Sequence, residues 1–88
     1  MIDGRIIETL KLASRGSLSA KQVFKRLRGL DMPNEEALML KEGSWGSRGG
    51  YPLGIEGLRQ AARDALARIP NDQLPYRLQE KTASEERK

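Results

Sequence analysis

The chain has 88 residues, of which 38% are hydrophobic and 32% charged, which is enough for one small domain and leaves no room for a second. Sixteen Lys and Arg against twelve Asp and Glu give a formal net charge of +4, which favours an anionic partner such as nucleic acid. Because the sequence has neither Cys nor His, it lacks disulfides, thiolate and imidazole metal ligands and the usual general base, and we expect no enzyme, no cofactor and no small-molecule substrate.

The first predicted helix covers residues 4–15. Its apolar side chains recur at spacings of three and four residues, so they share one helical face. Asp3 is placed to cap the amino terminus, and Gly16 can adopt the left-handed conformation that ends a helix. The apolar face consists of Ile2, Ile6, Leu10 and Ala13.

The second predicted helix covers residues 20–30 and carries the clearest local signal in the chain. Ser19 and Gln22 fit a capping box, S-x-x-Q, in which each side chain bonds the backbone N–H of the other residue. The predicted buried face consists of Val23, Phe24, Leu27 and Leu30. The predicted basic face consists of Lys21, Lys25 and Arg28, with Arg26 beside them.

A third, short helix is predicted over residues 33–42. Pro33 suits the first turn of a helix, and either Asp31 or Asn34 can cap it. Gly43 is placed to end it. The apolar run in the middle of this segment is also compatible with a short strand, so the helix assignment depends on the caps.

The Gly-rich loop (residues 43–54) holds five of the nine glycines of the chain. Gly49 and Gly50 form a turn dipeptide with Trp45 on one side and Tyr51 on the other. A glycine pair between such residues is typical of a hairpin turn. The sequence therefore predicts a short β-hairpin here.

A fourth helix is predicted over residues 55–69, where the apolar spacing is again helical, and Pro70 ends it. The predicted compact domain is thus 1–70. Residues 71–88 are predicted to form a tail that is mobile beyond residue 78, because residues 79–88 contain no large apolar side chain.

The order of these segments resembles the winged helix-turn-helix family. The resemblance spans roughly residues 4–69 and rests on S-R-G-S-L-S-A-K-Q-V-F-K-R-L around the second helix and R-G-G-Y-P-L-G-I-E-G-L before the fourth. It implies a mainly α fold of four helices with one short hairpin as the wing, and DNA binding with the third helix in the major groove. The family's wing and following helix would be represented here by Tyr51, Leu53, Glu56 and Gly57.

The distribution of charge does not favour insertion of the third helix into the major groove. Residues 5–30 have seven Lys and Arg against one Glu, whereas residues 31–42 have one Lys against four acids. Acidic side chains repel phosphate, so we expect the second helix and the Gly-rich loop to contact DNA instead. A solvated charged face, which any small domain needs, is the alternative interpretation. The expected nucleic-acid contacts are Lys21, Lys25, Arg26, Arg28 and Arg48.

The aromatic residues of the Gly-rich loop allow a second hypothesis. Trp45 and Tyr51 can stack on bases or bind a protein partner, or they can close the core under the loop. In the rival function the chain is a protein-interaction adaptor or inhibitor, or a homodimer, and the loop at 45–53 and the acidic third helix contact the partner.

We expect a cytoplasmic protein with no membrane partner. No apolar run approaches the roughly 20 residues that cross a bilayer. Charged side chains interrupt the first fifteen residues, where a signal peptide needs an apolar stretch.

Overall fold

The computed structural model of the chain describes residues 2–73, and in these residues it contains four α-helices and no strand. None of these helices is long and apolar enough to cross a lipid bilayer. The predicted mobile tail beyond residue 78 lies outside the described residues. The helices are α1 (Gly4–Ser14), α2 (Ala20–Leu27), α3 (Glu35–Glu42) and α4 (Ile55–Ala67), followed by a 3₁₀ turn (Asn71–Gln73).

The amino termini of α1 and α2 are capped as the sequence predicts. Asp3 accepts a hydrogen bond from the backbone N–H of Arg5 at 2.8 Å. Hydrogen bonds from the Arg5 side chain and backbone lower the pKa of Asp3 to about 2. Ser19 and Gln22 form both bonds of the capping box, at 2.8 and 3.2 Å. These ends are set by residues within three positions of one another, which is why local sequence predicts them.

All four helices are shorter than predicted, α1 by one residue, α2 by three, and α3 and α4 by two each. Local backbone geometry explains the ends of α2 and α3. α2 ends at Leu27 because Arg28 leaves the helical region with ψ 132° and Gly29 is left-handed with φ +82°. α3 begins at Glu35 because Asn34 is the cap, accepting from the N–H of Ala37 at 2.9 Å. Asn34 is one of the two predicted caps for this helix.

α4 is the central helix of the fold, with α1 and α3 packed against it and α2 packed against α1 and α3. The Asn34 side-chain amide, at the start of α3, donates to the carbonyl of Ala65 near the end of α4 at 2.9 Å, so these two helix ends are joined. Alanines let two neighbours approach α4 closely. Ala61, Ala62 and Ala65 are completely buried.

The Gly-rich loop is not a β-hairpin, and the predicted winged form of the fold is therefore wrong. The N–H of Arg48 donates to the carbonyl of Ser44 at 2.8 Å and the N–H of Tyr51 to the carbonyl of Trp45 at 3.1 Å. Both N–H groups thus donate within turns, and Pro52 has no N–H to donate. The described segment therefore has no ladder of hydrogen bonds between two strands. The mainly α character of the predicted fold is confirmed.

The Gly-rich loop instead folds down onto the first turns of α4, and this is possible because residue 57 is glycine. A Cβ atom at position 57 would lie 1.5 Å from the carbonyl oxygen of Pro52 and 3.1 Å from Cδ1 of Trp45. Trp45 is buried, with 8% of its surface exposed. Trp45, beside the predicted hairpin turn, therefore lies in the core, whereas Leu53 remains exposed.

The predicted buried face of α2 is correct in part. Val23 and Leu27, one turn apart, are completely buried, and Leu30 packs partly against the core. Phe24 is 46% exposed, so its assignment to the core is wrong. α2 contacts its neighbouring helices through Val23 and Leu27. Phe24 follows Val23 directly and lies about 100° around the helix from it, so its side chain points away from the neighbouring helices.

Candidate nucleic-acid interface

Within residues 2–73, most of the cations that form no ion pair with another described residue lie in one stretch of the chain. Residues 9–30 contain no Asp or Glu and six cations. None of the six forms an ion pair with another described residue. Elsewhere in residues 2–73, only Lys41 and Arg63 also lack an ion pair. The six cations are Lys11, Arg15, Lys21, Lys25, Arg26 and Arg28.

Three of these cations form one surface, which we call the α2 basic face: Lys21, Lys25 and Arg28. All three are exposed, and their spacings of four and three residues make them neighbours on a helix. Arg28 still belongs to this surface although it follows the last helical residue. Its φ is −59° and its N–H donates to the carbonyl of Phe24 at 3.0 Å, so its Cβ follows the helical direction.

Arg26, the fourth predicted contact on α2, lies apart from the α2 basic face. It is exposed, but it is one position after Lys25 and therefore about 100° around the helix from it. A ligand bound along the α2 basic face therefore does not contact Arg26 on that same side of the helix. Its role as a contact stays a prediction.

Arg48 joins the Gly-rich loop to α3. Its guanidinium pairs with the carboxylate of Glu42 at 2.6 Å and also with that of Glu35, and both acids belong to α3. Two carboxylates thus neutralise the positive charge of Arg48, the predicted phosphate contact. The contact stays a prediction, and it requires that these ion pairs open.

Trp45 and Tyr51, the predicted partner-binding aromatics, both lie against the protein. Trp45 is buried, and its indole Nε1 has no hydrogen-bond partner among the described residues. Tyr51 is half-buried, and its hydroxyl donates to the carboxylate of Asp64 on α4. The hydrogen bond to Asp64 is the largest cause, and burial the second largest, of a rise in the pKa of Tyr51 to about 12. The positions agree with the alternative that these rings close the core; their binding to a partner is untested.

The Tyr51–Asp64 hydrogen bond should make folding stability depend on pH in the alkaline range. An unfolded tyrosine releases its proton near 10, whereas Tyr51 releases it near 12, so the unfolded state holds fewer protons in between and stability falls as pH rises. The stability difference between wild type and Tyr51→Phe, measured by urea unfolding, should be full below pH 10 and disappear as pH passes 12. A difference that is constant across this range would show that the hydroxyl is not held by Asp64.

Sequence reasoning identified the excess of cations over residues 5–30 but not the narrower segment 9–30, which excludes Glu8 and contains no acid. It also missed three exposed apolar side chains, because exposure depends on which neighbours a helix or loop meets. These side chains are Phe24, Leu53 and Ile55.

Comparison of the chain with protein-family models, with characterised proteins and with solved structures found no match.

Proposed function

We propose that this chain binds DNA in the cytoplasm, with Lys21, Lys25 and Arg28 contacting backbone phosphates. The observation that carries the proposal is the set of cations on residues 9–30, a segment without an acidic side chain, none of which forms an ion pair with another described residue. Neutralising phosphates with such cations releases condensed counterions, and this release is the main source of sequence-independent DNA affinity.

Helix stability accounts for part of the α2 basic face but not for Lys21. Cations near the carboxyl terminus of a helix are stabilising, so Lys25 and Arg28 are favourable where they are. Lys21 lies in the first turn, beside the positive end of the helix, and no acid accompanies it there. It also lies one turn from Lys25, a like charge. Both effects oppose folding, and a phosphate contact gives this lysine a function that offsets them.

Replacing Lys21 with Glu should therefore stabilise the fold and weaken DNA binding. The carboxylate complements the helix dipole and attracts Lys25, and together these effects are worth about 0.5 to 1 kcal/mol of unfolding free energy. Lys25→Glu is the matched control, because it changes net charge equally but places the carboxylate nearer the negative end of the helix. We expect K21E to be the more stable of the two in urea unfolding, and both to lose DNA affinity. Unchanged affinity in K21E would remove this lysine from the interface.

A titration of the wild-type chain with duplex DNA at several salt concentrations tests the proposal. Each phosphate that the protein neutralises adds about 0.9 to the slope of log affinity against log salt concentration. Contacts from the α2 basic face alone predict a slope of roughly two to three. Absence of binding at low salt to duplex and to single-stranded DNA alike would overturn the proposal.

A second candidate function, protein interaction, is favoured by the exposed apolar pair beside the start of α4. Leu53 is 84% exposed and Ile55 is 50% exposed. The partner surface would then be this pair and not Trp45, which is buried. Sedimentation equilibrium of wild type and Leu53→Ser tests the simplest case, a homodimer. A dimer that the substitution dissociates would support this candidate, whereas a monomer in both would count against self-association.

A further inference from the structure

Phe24 is an exposed aromatic side chain within a group of cations. Its side chain is 46% exposed, whereas Trp45 is buried and Tyr51 is half-buried. On α2 it lies three residues after Lys21 and four residues before Arg28, and Lys25 follows it directly. Residues three and four apart are neighbours on a helix surface, so the ring borders the α2 basic face along its length.

The packing of the fold does not explain this ring. The core receives Val23 and Leu27 from α2, and both are completely buried, so the helix is already anchored without Phe24. The cations beside the ring, Lys21 and Arg28, also provide no apolar surface that would extend it into a contact with another protein's core. The surroundings of the ring therefore favour a polyanion as its partner over an apolar protein surface.

We infer that the partner of this surface is single-stranded DNA, with the face of one base stacked on Phe24 while Lys21, Lys25 and Arg28 hold the neighbouring phosphates. This inference rests on the proposed function and names the form of DNA bound. A duplex presents phosphates and base edges but hides the faces of its bases in the stack, so it offers nothing to the ring. A single strand offers both groups at once.

The chemistry of phenylalanine also predicts how selective the site is. The ring has no hydrogen-bond donor or acceptor, so it cannot read the edge of a base. Every base has a π face, and stacking on it is largely independent of sequence. Arg28 can add to the stacking through its planar guanidinium, which Lys cannot do. We therefore expect binding with little sequence preference and a marked preference for the unpaired strand.

The test compares the affinity of the full chain for a labelled oligothymidine and for a mixed-sequence duplex of equal length, at the same salt concentrations. Wild type is measured beside Phe24→Leu, which keeps an apolar side chain but removes the aromatic face, and Phe24→Trp, which keeps an aromatic face. F24L should lose about 5- to 100-fold in affinity for the single strand. Its salt slope and its duplex affinity should stay unchanged, because the cations are intact. F24W should retain single-strand affinity.

Each outcome separates this inference from the function on which it rests. Circular dichroism and urea unfolding of F24L should show that the variant is folded, as expected from the exposure of the ring. Equal single-strand affinity of wild type and F24L, or an equal loss on the duplex, would overturn the stacking of a base on Phe24 and leave the proposed phosphate contacts standing. If the wild-type chain shows no salt-dependent binding to the single strand and none to the duplex, both the stacking inference and the proposed function are overturned.

Discussion

Removing the three charges of the α2 basic face should weaken binding to every DNA sequence and flatten the salt dependence by roughly two to three units of slope. The variant is K21Q/K25Q/R28Q. Because glutamine keeps a similar length and helix propensity, the fold should persist while the counterion release associated with these residues is lost. The measurement is a titration of wild type and the triple variant on the same DNA across a salt series.

Arg63→Gln is the control for this loss of charge. Arg63 is exposed on α4, outside residues 9–30, and forms no ion pair with another described residue. Its removal should leave the salt slope unchanged within the error of the titration. If the triple variant and wild type have equal slopes, the α2 basic face is not a phosphate site.

Gly57→Ala should destabilise the fold by roughly 1 to 3 kcal/mol, as overpacking of a dense site does. In an open helix the same substitution stabilises by up to about 1 kcal/mol, so the sign itself reports the close approach of the loop. The added methyl group would lie 1.5 Å from the carbonyl oxygen of Pro52, and backbone atoms cannot move aside as the end of a side chain can. Such a loss is a large share of a small domain's stability of about 5 kcal/mol.

Urea unfolding followed by circular dichroism measures this loss, and the emission of Trp45 locates it. The indole lies 3.1 Å from the position of the new methyl group, so displacement of the loop should expose it and shift its emission to longer wavelength. Arg63→Ala, on the exposed face of the same helix, should change stability by no more than about 0.5 kcal/mol. A Gly57→Ala protein as stable as wild type would show that the loop does not rest on α4.

The sequence predicts the amino termini of α1 and α2 and the basic face of α2, because each depends on neighbours within one or two turns. Ser19 and Gln22 need only each other, and the spacing of Lys21 and Lys25 places them on one side of any helix. The exposure of Phe24 could not be predicted in this way. It depends on where α1 and α3 meet α2, which the local pattern does not contain.

The β-hairpin predicted for the Gly-rich loop was wrong for a related reason. A glycine pair flanked by aromatics favours a hairpin locally, but contacts between residues five to thirteen positions apart, outside the turn pattern, decide the outcome. Pro52 rests on Gly57, and Arg48 reaches Glu42 and Glu35, which are six and thirteen positions before it. Ion pairs at such separations become visible only when the helices are placed in space.

The separation of paired from unpaired charge has a kinetic consequence. Arg48 and Arg68 are matched by acids of α3, whereas the cations of residues 9–30 have no such partners among the described residues. A polyanion approaching from a distance therefore meets an asymmetric field that turns the α1 and α2 side of the molecule toward it before contact. Electrostatic steering of this kind raises association rates and is strongly weakened by salt. In stopped-flow measurements, added salt should slow the encounter itself, beyond any effect on how long the complex lasts.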